Sequence, residues 1–187
     1  QMDLSGYYLF SHNGSPGSAT ASVKCGVIQE QDSHKHVVFE WHSKNYFAFD
    51  DVDSSRLDNP FIVDWEHFNS VQQDTDGNLL LSVRHFNEIT KINRSDSSII
   101  WRMGGNRNQF TFINDSIQFY GQHHARRIAN GHITLFDDGN NSIPFHPAQA
   151  KEYMVDETAK TATLVWHYIE NDSSYSKSLG SVQRLPN

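Results

Sequence analysis

The chain reads as an all-β protein, a β-propeller of four-stranded antiparallel blades, and three observations lead there. A tryptophan recurs in three short runs, "HVVFEWHS" (36–43), "SSIIWRMG" (97–104) and "ATLVWHYI" (162–169). Each run is β-branched or aromatic, the composition of a strand. Trp41, Trp101 and Trp166 thus return at a spacing of roughly 60 residues, the mark of a repeat architecture. Asp76-Gly77 and Asn130-Gly131 stand between alternating runs, the strongest short signal for a hairpin. No apolar period of 3.6 residues extends far enough to predict a helix.

The elements follow in order. A first copy, about 4–43, starts at "GYYLFSHN" and lacks its innermost strand. A second, 64–104, contains "HFNSVQQDTDGNLLLSVRHFNEITKINRSDSSIIW", four strands with turns at Asp76-Gly77 and around Ser95–Ser97. A third, 120–169, runs from "QHHARRIANGHITLFDDGNN" to "AKEYMVDETAKTATLVW", with turns at Asn130-Gly131 and near Glu157–Lys160. The stretch 179–187, ending in "GSVQRLPN", lays over "HARRIAN" and reads as the start of another copy. A β-sandwich would use similar strands but does not account for a tryptophan returning in the fourth strand of each unit. About three blades do not close a ring, and open edges invite aggregation. Residues 1–187 are therefore expected to be one partial propeller domain, completed by the remaining blades of a parent chain and inactive without them.

Composition narrows the function. Fifteen Lys and Arg face 22 Asp and Glu, a formal charge of −7, which argues against a nucleic-acid partner because phosphate binding needs a basic face. Runs such as Leu79-Leu80-Leu81 are far too short to span a membrane. Cys25 is the only cysteine, so neither a disulfide framework nor a cysteine-based metal site is expected. The anomaly is eleven histidines.

The repeat gathers some of them. In a propeller the first strand of each blade lines the central channel; His67 opens one such strand and His123 the next. A strict two-residue loop at Asp76-Gly77 sets Phe86 opposite His67, and one extra loop residue sets His85 there. A two-residue loop at Asn130-Gly131 sets Asp138 opposite His123, within about 5 Å between Cβ atoms. Successive strand residues face opposite ways, so only one of His123 and His124 can face the channel; His123 is expected to, with His124 packed between blades. Taken singly, each residue has an ordinary structural explanation. Asp137-Asp138-Gly139 could make a turn, and Arg126 and Arg127 could be solvated or paired between blades. Together, His67, His85 and His123 crowd groups that can each gain a charge, which stability alone seldom keeps. Three histidines converging from two blades would suffice to hold a zinc or iron ion, a reading ranked below organic catalysis because the HExxH pairing is absent. Calcium is set aside, since "DTDGN" has His85 where a calcium loop needs a glutamate.

These residues carry a resemblance. "DWEHFNSV", "SVRHFN", "IIWRMGG" and "QHHARR", in this order with "FDDGN" and "GSVQRLPN" following, closely resemble the arylsulfotransferase (aryl-sulfate sulfotransferase) family over about residues 61–187. The resemblance implies a propeller enzyme, six-bladed in the parent, that moves a sulfuryl group from a phenolic sulfate ester to a phenol acceptor. It implies no nucleotide sulfate donor and no other cofactor. The mechanism it implies is ping-pong through a sulfated histidine, His123, with His85 and His67 as further catalytic groups and Asn87 and Arg102 binding the sulfate. An orienting role for Asp138 comes from the hairpin geometry, and Asp138 stands where many relatives read FDNG. The chemistry suits these residue types: neutral imidazole is a good nucleophile near pH 7, and fixed donors stabilise charge on sulfuryl oxygens. Relatives are generally exported, so a periplasmic or extracellular place is expected, although the chain carries no signal peptide. The competing expectation is a non-catalytic propeller that binds a ligand or a protein, since fold alone does not give function.

Overall fold

The computed structural model describes residues 2–3, 7–10, 21–52, 62–140, 145–170 and 176–185. It is all-β, with short 3-10 turns between strands, and it divides into two compact units, Gln1–His67 and Phe68–Asn187. Among the described residues no helix is long and apolar enough to cross a membrane.

The amino-terminal unit contains β1 (Met2–Asp3), β2 (Tyr7–Phe10), β3 (Ala21–Lys24), β4 (Val27–Gln31), β5 (Val37–His42) and β6 (Ile62–Asp64). They form two three-stranded sheets, in the orders β1-β4-β5 and β2-β3-β6, with β3 and β6 parallel. Residues 4–6 and 11–20 of the expected first copy lie outside the described residues. Within the hairpin β4–β5, Trp41 is buried, stacked on Tyr46 at 5.0 Å and edge-on to Phe47.

Glu66 closes this unit from within. Its Oε1 accepts the Ser43 hydroxyl at 2.6 Å and the Gly26 N–H, while the side chain is buried. Burial pushes the carboxyl up from 4.5 to about 8, against the two hydrogen bonds. A folded pKa above the unfolded one gives a stability contribution that is full below about 4.5 and is lost as pH rises through 8. The melting temperature of wild type is therefore expected to fall by about 10 °C from pH 5 to pH 8.5. Glu66→Gln keeps the acceptor without the charge and should flatten that slope in thermal melts; parallel curves would refute the assignment.

In the second unit, β7 (Phe68–Gln73), β8 (Leu79–Val83), β9 (Glu88–Ile92) and β10 (Ile99–Gly104) form an antiparallel meander in the order β10-β9-β8-β7. β8 and β9 are buried along their whole length; β8 is a near-continuous apolar run, as a strand covered on both faces should be, whereas β9 buries Glu88, Thr90 and Lys91 with partners. The other sheet has the order β11-β15-β14-β13-β12, from β11 (Thr111–Ile113), β12 (His123–Arg127), β13 (Ile133–Asp137), β14 (Gln149–Asp156) and β15 (Thr161–Ile169). Its fifth strand, β11, joins β15 in parallel; three residues carry too little pattern to be read as a strand beforehand. Leu80, Ile89, Trp101 and Met103 of the first sheet pack with Ala125, Ile133, Leu135, Tyr153 and Ala162 of the second. Trp101 is fully buried, edge-on to Phe110 at 5.2 Å, with its Nε1 donating to Glu157 at 2.8 Å. Trp166, at the matching place in β15, is 36% exposed and lies under the Arg184 guanidinium.

Both hairpin registers differ from the two-residue loops. Asp74 N–H bonds to Asn78 O, and Ile128 N–H to His132 O, so each loop holds three residues ending in a glycine at positive φ, Gly77 at 84° and Gly131 at 85°. This is the bulged form of the turn, in which a left-handed third residue is most easily a glycine. For Asp76-Gly77 it is the longer of the two loops anticipated. For Asn130-Gly131 it is a correction: with a second irregularity between His123 and Arg126, Phe136 and not Asp138 pairs with His123. Residues 176–185 form no strand; they lie on the second sheet, where Val182 N–H approaches His124 Nδ1 at 3.4 Å.

Candidate active site

His123 is the first residue of β12, and the three residues before it are tied down one after another. Tyr120 N–H bonds to Asp137 Oδ1 at 3.0 Å, and Gly121 N–H to Asn87 Oδ1 at 2.8 Å. The buried Gln122 amide donates to Ser82 Oγ, Val83 O and Glu88 O, and its own carbonyl accepts Asn69 Nδ2 at 2.6 Å. The chain then kinks: His124 has φ 55°, so His123 is buried while His124 is half-buried. Burial, and then the Arg126 charge, hold the His124 pKa below its ordinary value, which suits a packing role better than an acid.

The His123–Asp138 contact exists, though not by the expected register. Asp138 lies past the end of β13, outside the ladder, and its Oδ1 accepts His123 Nδ1 at 3.0 Å. Its Oδ2 lies 3.8 Å from Arg84 Nε, an ion pair too long for a hydrogen bond. Arg84 is fixed by Nη2 donating to Lys177 O at 3.0 Å, and Asp138 O accepts Ser176 N–H at 2.9 Å. Burial raises the Asp138 carboxyl above its ordinary pKa, against the opposing pull of His123 and then Arg84. With Nδ1 committed to the carboxylate, Nε2 is the ring nitrogen left for chemistry.

The turn between β8 and β9 brings two more of the expected residues to this end of the unit. Arg84–Phe86 form a 3-10 turn capped by Asn87 in the left-handed region, and half-buried His85 lies in it. The double glycine at the end of β10 makes room for this turn: a Cβ on Gly104 would lie 2.5 Å from Asn87 O, and one on Gly105 would press on Phe86 O. That contact explains why "SVRHFN" and "WRMGG" belong together. Arg102, expected to bind sulfate, gives its Nε to the buried Glu88 carboxylate at 2.8 Å. His67 belongs to the amino-terminal unit, where its Nδ1 meets Asp64 Oδ2 at 2.7 Å.

Sequence reasoning passed over Arg84, His146 and Lys151, and gave Asp137 no part beyond a turn. Arg84 adjoins His85 and could have been found from the same motif. Lys151 alternates with Tyr153 on one face of β14, and a lysine in phase with buried residues is a recognisable sign of a buried partner. His146 sits in a loop, where no period marks it.

An all-β protein with a buried histidine–carboxylate pair, held from three sides at the head of a strand, is the class that fold and site define. The family model for Arylsulfotransferase (ASST) matches residues 11–187. The chain belongs to that family, which supports aryl sulfotransferase activity at family level and phenolic compounds as the substrate class. No curated protein matches the chain.

Proposed function

We propose that the protein is an aryl-sulfate sulfotransferase that works ping-pong through a sulfohistidine at His123, and that its sheets are successive blades of a propeller. The observation that carries the mechanism is the 3.0 Å contact between His123 Nδ1 and Asp138. It fixes the tautomer with the proton on Nδ1 and the lone pair on Nε2. That lone pair attacks the sulfur of an aryl sulfate; the N–S bond forms as the S–O(aryl) bond breaks, and the electron pair leaves on the phenolate. The ring keeps its Nδ1 proton and becomes an N-sulfonated imidazolium, whose charge the Asp138 carboxylate stabilises. An acceptor phenol then attacks sulfur through oxygen, losing its proton to His85, and the N–S electrons return to the ring. A phenolate leaves with little acid help, so a histidine is acid enough for the reverse role. Asn87 holds Gly121 with its oxygen and offers its amide N–H groups to the sulfuryl oxygens. Arg102 steadies the same turn through Glu88.

The test is to incubate wild type with 4-nitrophenyl sulfate and no acceptor, then record phenolate release and intact mass. One equivalent of phenolate with one added sulfuryl group is expected. An unmodified protein that releases no phenolate would overturn the enzyme and favour a binding propeller.

A further inference from the structure

Four groups meet at the fully buried Asp137 carboxylate. Oδ1 accepts Tyr120 N–H at 3.0 Å and Gly139 N–H at 3.1 Å. Oδ2 meets His146 Nε2 at 2.8 Å and Lys151 Nζ at 3.1 Å. Tyr120 lies three residues before His123, and Gly139 follows Asp138. One carboxylate therefore clamps both backbone segments that deliver the His123–Asp138 pair, at the place where the β12–β13 ladder has ended. Lys151 is buried as well and also reaches Asp115 Oδ2 at 2.8 Å, with Tyr153 OH donating to the same oxygen. His146 is buried and edge-on to Tyr120 at 5.9 Å.

Charge explains why Asp137 needs both partners. A buried carboxylate without compensation is costly, and among the described residues the three acids Asp115, Asp137 and Asp138 share two permanent cations, Lys151 and Arg84. We propose that Asp137 is a positioning residue for sulfuryl transfer, and that His146 directs it by occupying Oδ2, so that Oδ1 is left to the two backbone N–H groups. If Oδ2 loses His146, the carboxylate can rotate toward Lys151, the clamp on Tyr120 and Gly139 slackens, and His123 moves relative to Asp138. This inference rests on the reading of His123 as nucleophile.

The experiment compares wild type, His146→Phe, His146→Gln and Asp137→Asn, each verified as folded by near-UV circular dichroism. Two readouts are used: the phenolate burst from 4-nitrophenyl sulfate, and nitrogen-15 spectra of the His123 ring. His146→Phe keeps the ring against Tyr120 without a donor. It is expected to slow the burst between about 10- and 100-fold with KM within about twofold, the usual consequence of misplacing a reacting group by about 1 Å. The same variant should lose the single Nδ1–H tautomer of His123. His146→Gln, which donates to Oδ2, should recover most of the rate and the tautomer, whereas Asp137→Asn, which keeps an Oδ1 acceptor but turns an amide N–H toward Lys151 Nζ, should be slowed like His146→Phe. A folded His146→Phe with wild-type burst and unchanged His123 signals would overturn the proposal, as would a glutamine variant as slow as phenylalanine. Should wild type release no phenolate, the sulfotransferase reading falls separately, and the His123 ring spectra alone decide the clamp.

Discussion

His123→Ala is expected to lose the mass gain from 4-nitrophenyl sulfate altogether and to slow sulfuryl transfer by about 10⁴-fold or more, since removing a covalent nucleophile leaves only binding and electrostatic assistance. The side chain is buried behind three anchored residues, so an alanine leaves a small void at a strand end. It also takes away the hydrogen-bond partner of the buried Asp138 Oδ1, a stability loss of about 1–3 kcal/mol that a thermal melt of the variant separates from lost chemistry. Asp138 then separates two parts of the effect. Asp138→Ala removes the acceptor for Nδ1–H and allows the wrong tautomer, for a loss of about 10²-fold or more. Asp138→Asn, the residue that resembling sequences carry, keeps an oxygen acceptor and loses only the negative charge beside the imidazolium. Its rate should stay within about tenfold of wild type. Equal losses for alanine and asparagine would mean that charge matters and tautomer does not. Wild-type phenolate release from His123→Ala would place the nucleophile elsewhere.

The same pair shows what the sequence could and could not disclose. The strands around Trp101 were legible because β-branched runs, hairpin glycines and a recurring tryptophan all point the same way. The partnership of His123 with Asp138 was legible, but for a reason that does not hold: the loops carry three residues and β12 is kinked at His124, so pairing arithmetic points to Phe136. Asp138 reaches His123 from beyond the ladder, guided by Asp137, Gly139 and the loop that follows. Such a contact depends on chain that has left the period-2 pattern, and no register rule covers it. Arg102 shows the opposite case. Its place in "WRMGG" was visible, whereas its engagement with Glu88 could be seen only once the meander had folded, because residues on facing strands pair by register and not by motif.

The largest effect on stability is expected at the other end of these sheets. Asp74, Lys91, Arg127 and Glu157 come from the β7–β8 loop, β9, β12 and the β14–β15 turn, and form one knot in which the side chains of Asp74, Lys91 and Arg127 are buried and Glu157 is partly exposed. Arg127 meets Asp74 through Nε at 3.1 Å and Nη2 at 3.0 Å and also contacts Glu157. Lys91 Nζ lies 3.1 Å from Asp74, 2.7 Å from Asp76 and 2.9 Å from Glu157. Both sheets of the unit are thus joined through three charges that water hardly reaches, Asp74, Lys91 and Arg127. Burial alone would push the Asp74 carboxyl up, but Arg127, the Thr75 N–H and Lys91 outweigh it and hold the pKa at about 2. A folded pKa below the ordinary 3.8 means that the stability from this group is present above about pH 4 and is lost as pH falls toward 2. Asp74→Ala leaves two buried cations short of a partner and should cost about 3–5 kcal/mol, read as a lower urea midpoint at unchanged slope. Removing Arg127 as well, in Asp74→Ala with Arg127→Met, should cost less than the sum of the two single changes, because the second substitution takes away the cation that the first left uncompensated. Additive losses, or a single-variant cost under about 1 kcal/mol, would mean that the knot is hydrated and that apolar packing around Trp101 holds the two sheets together by itself.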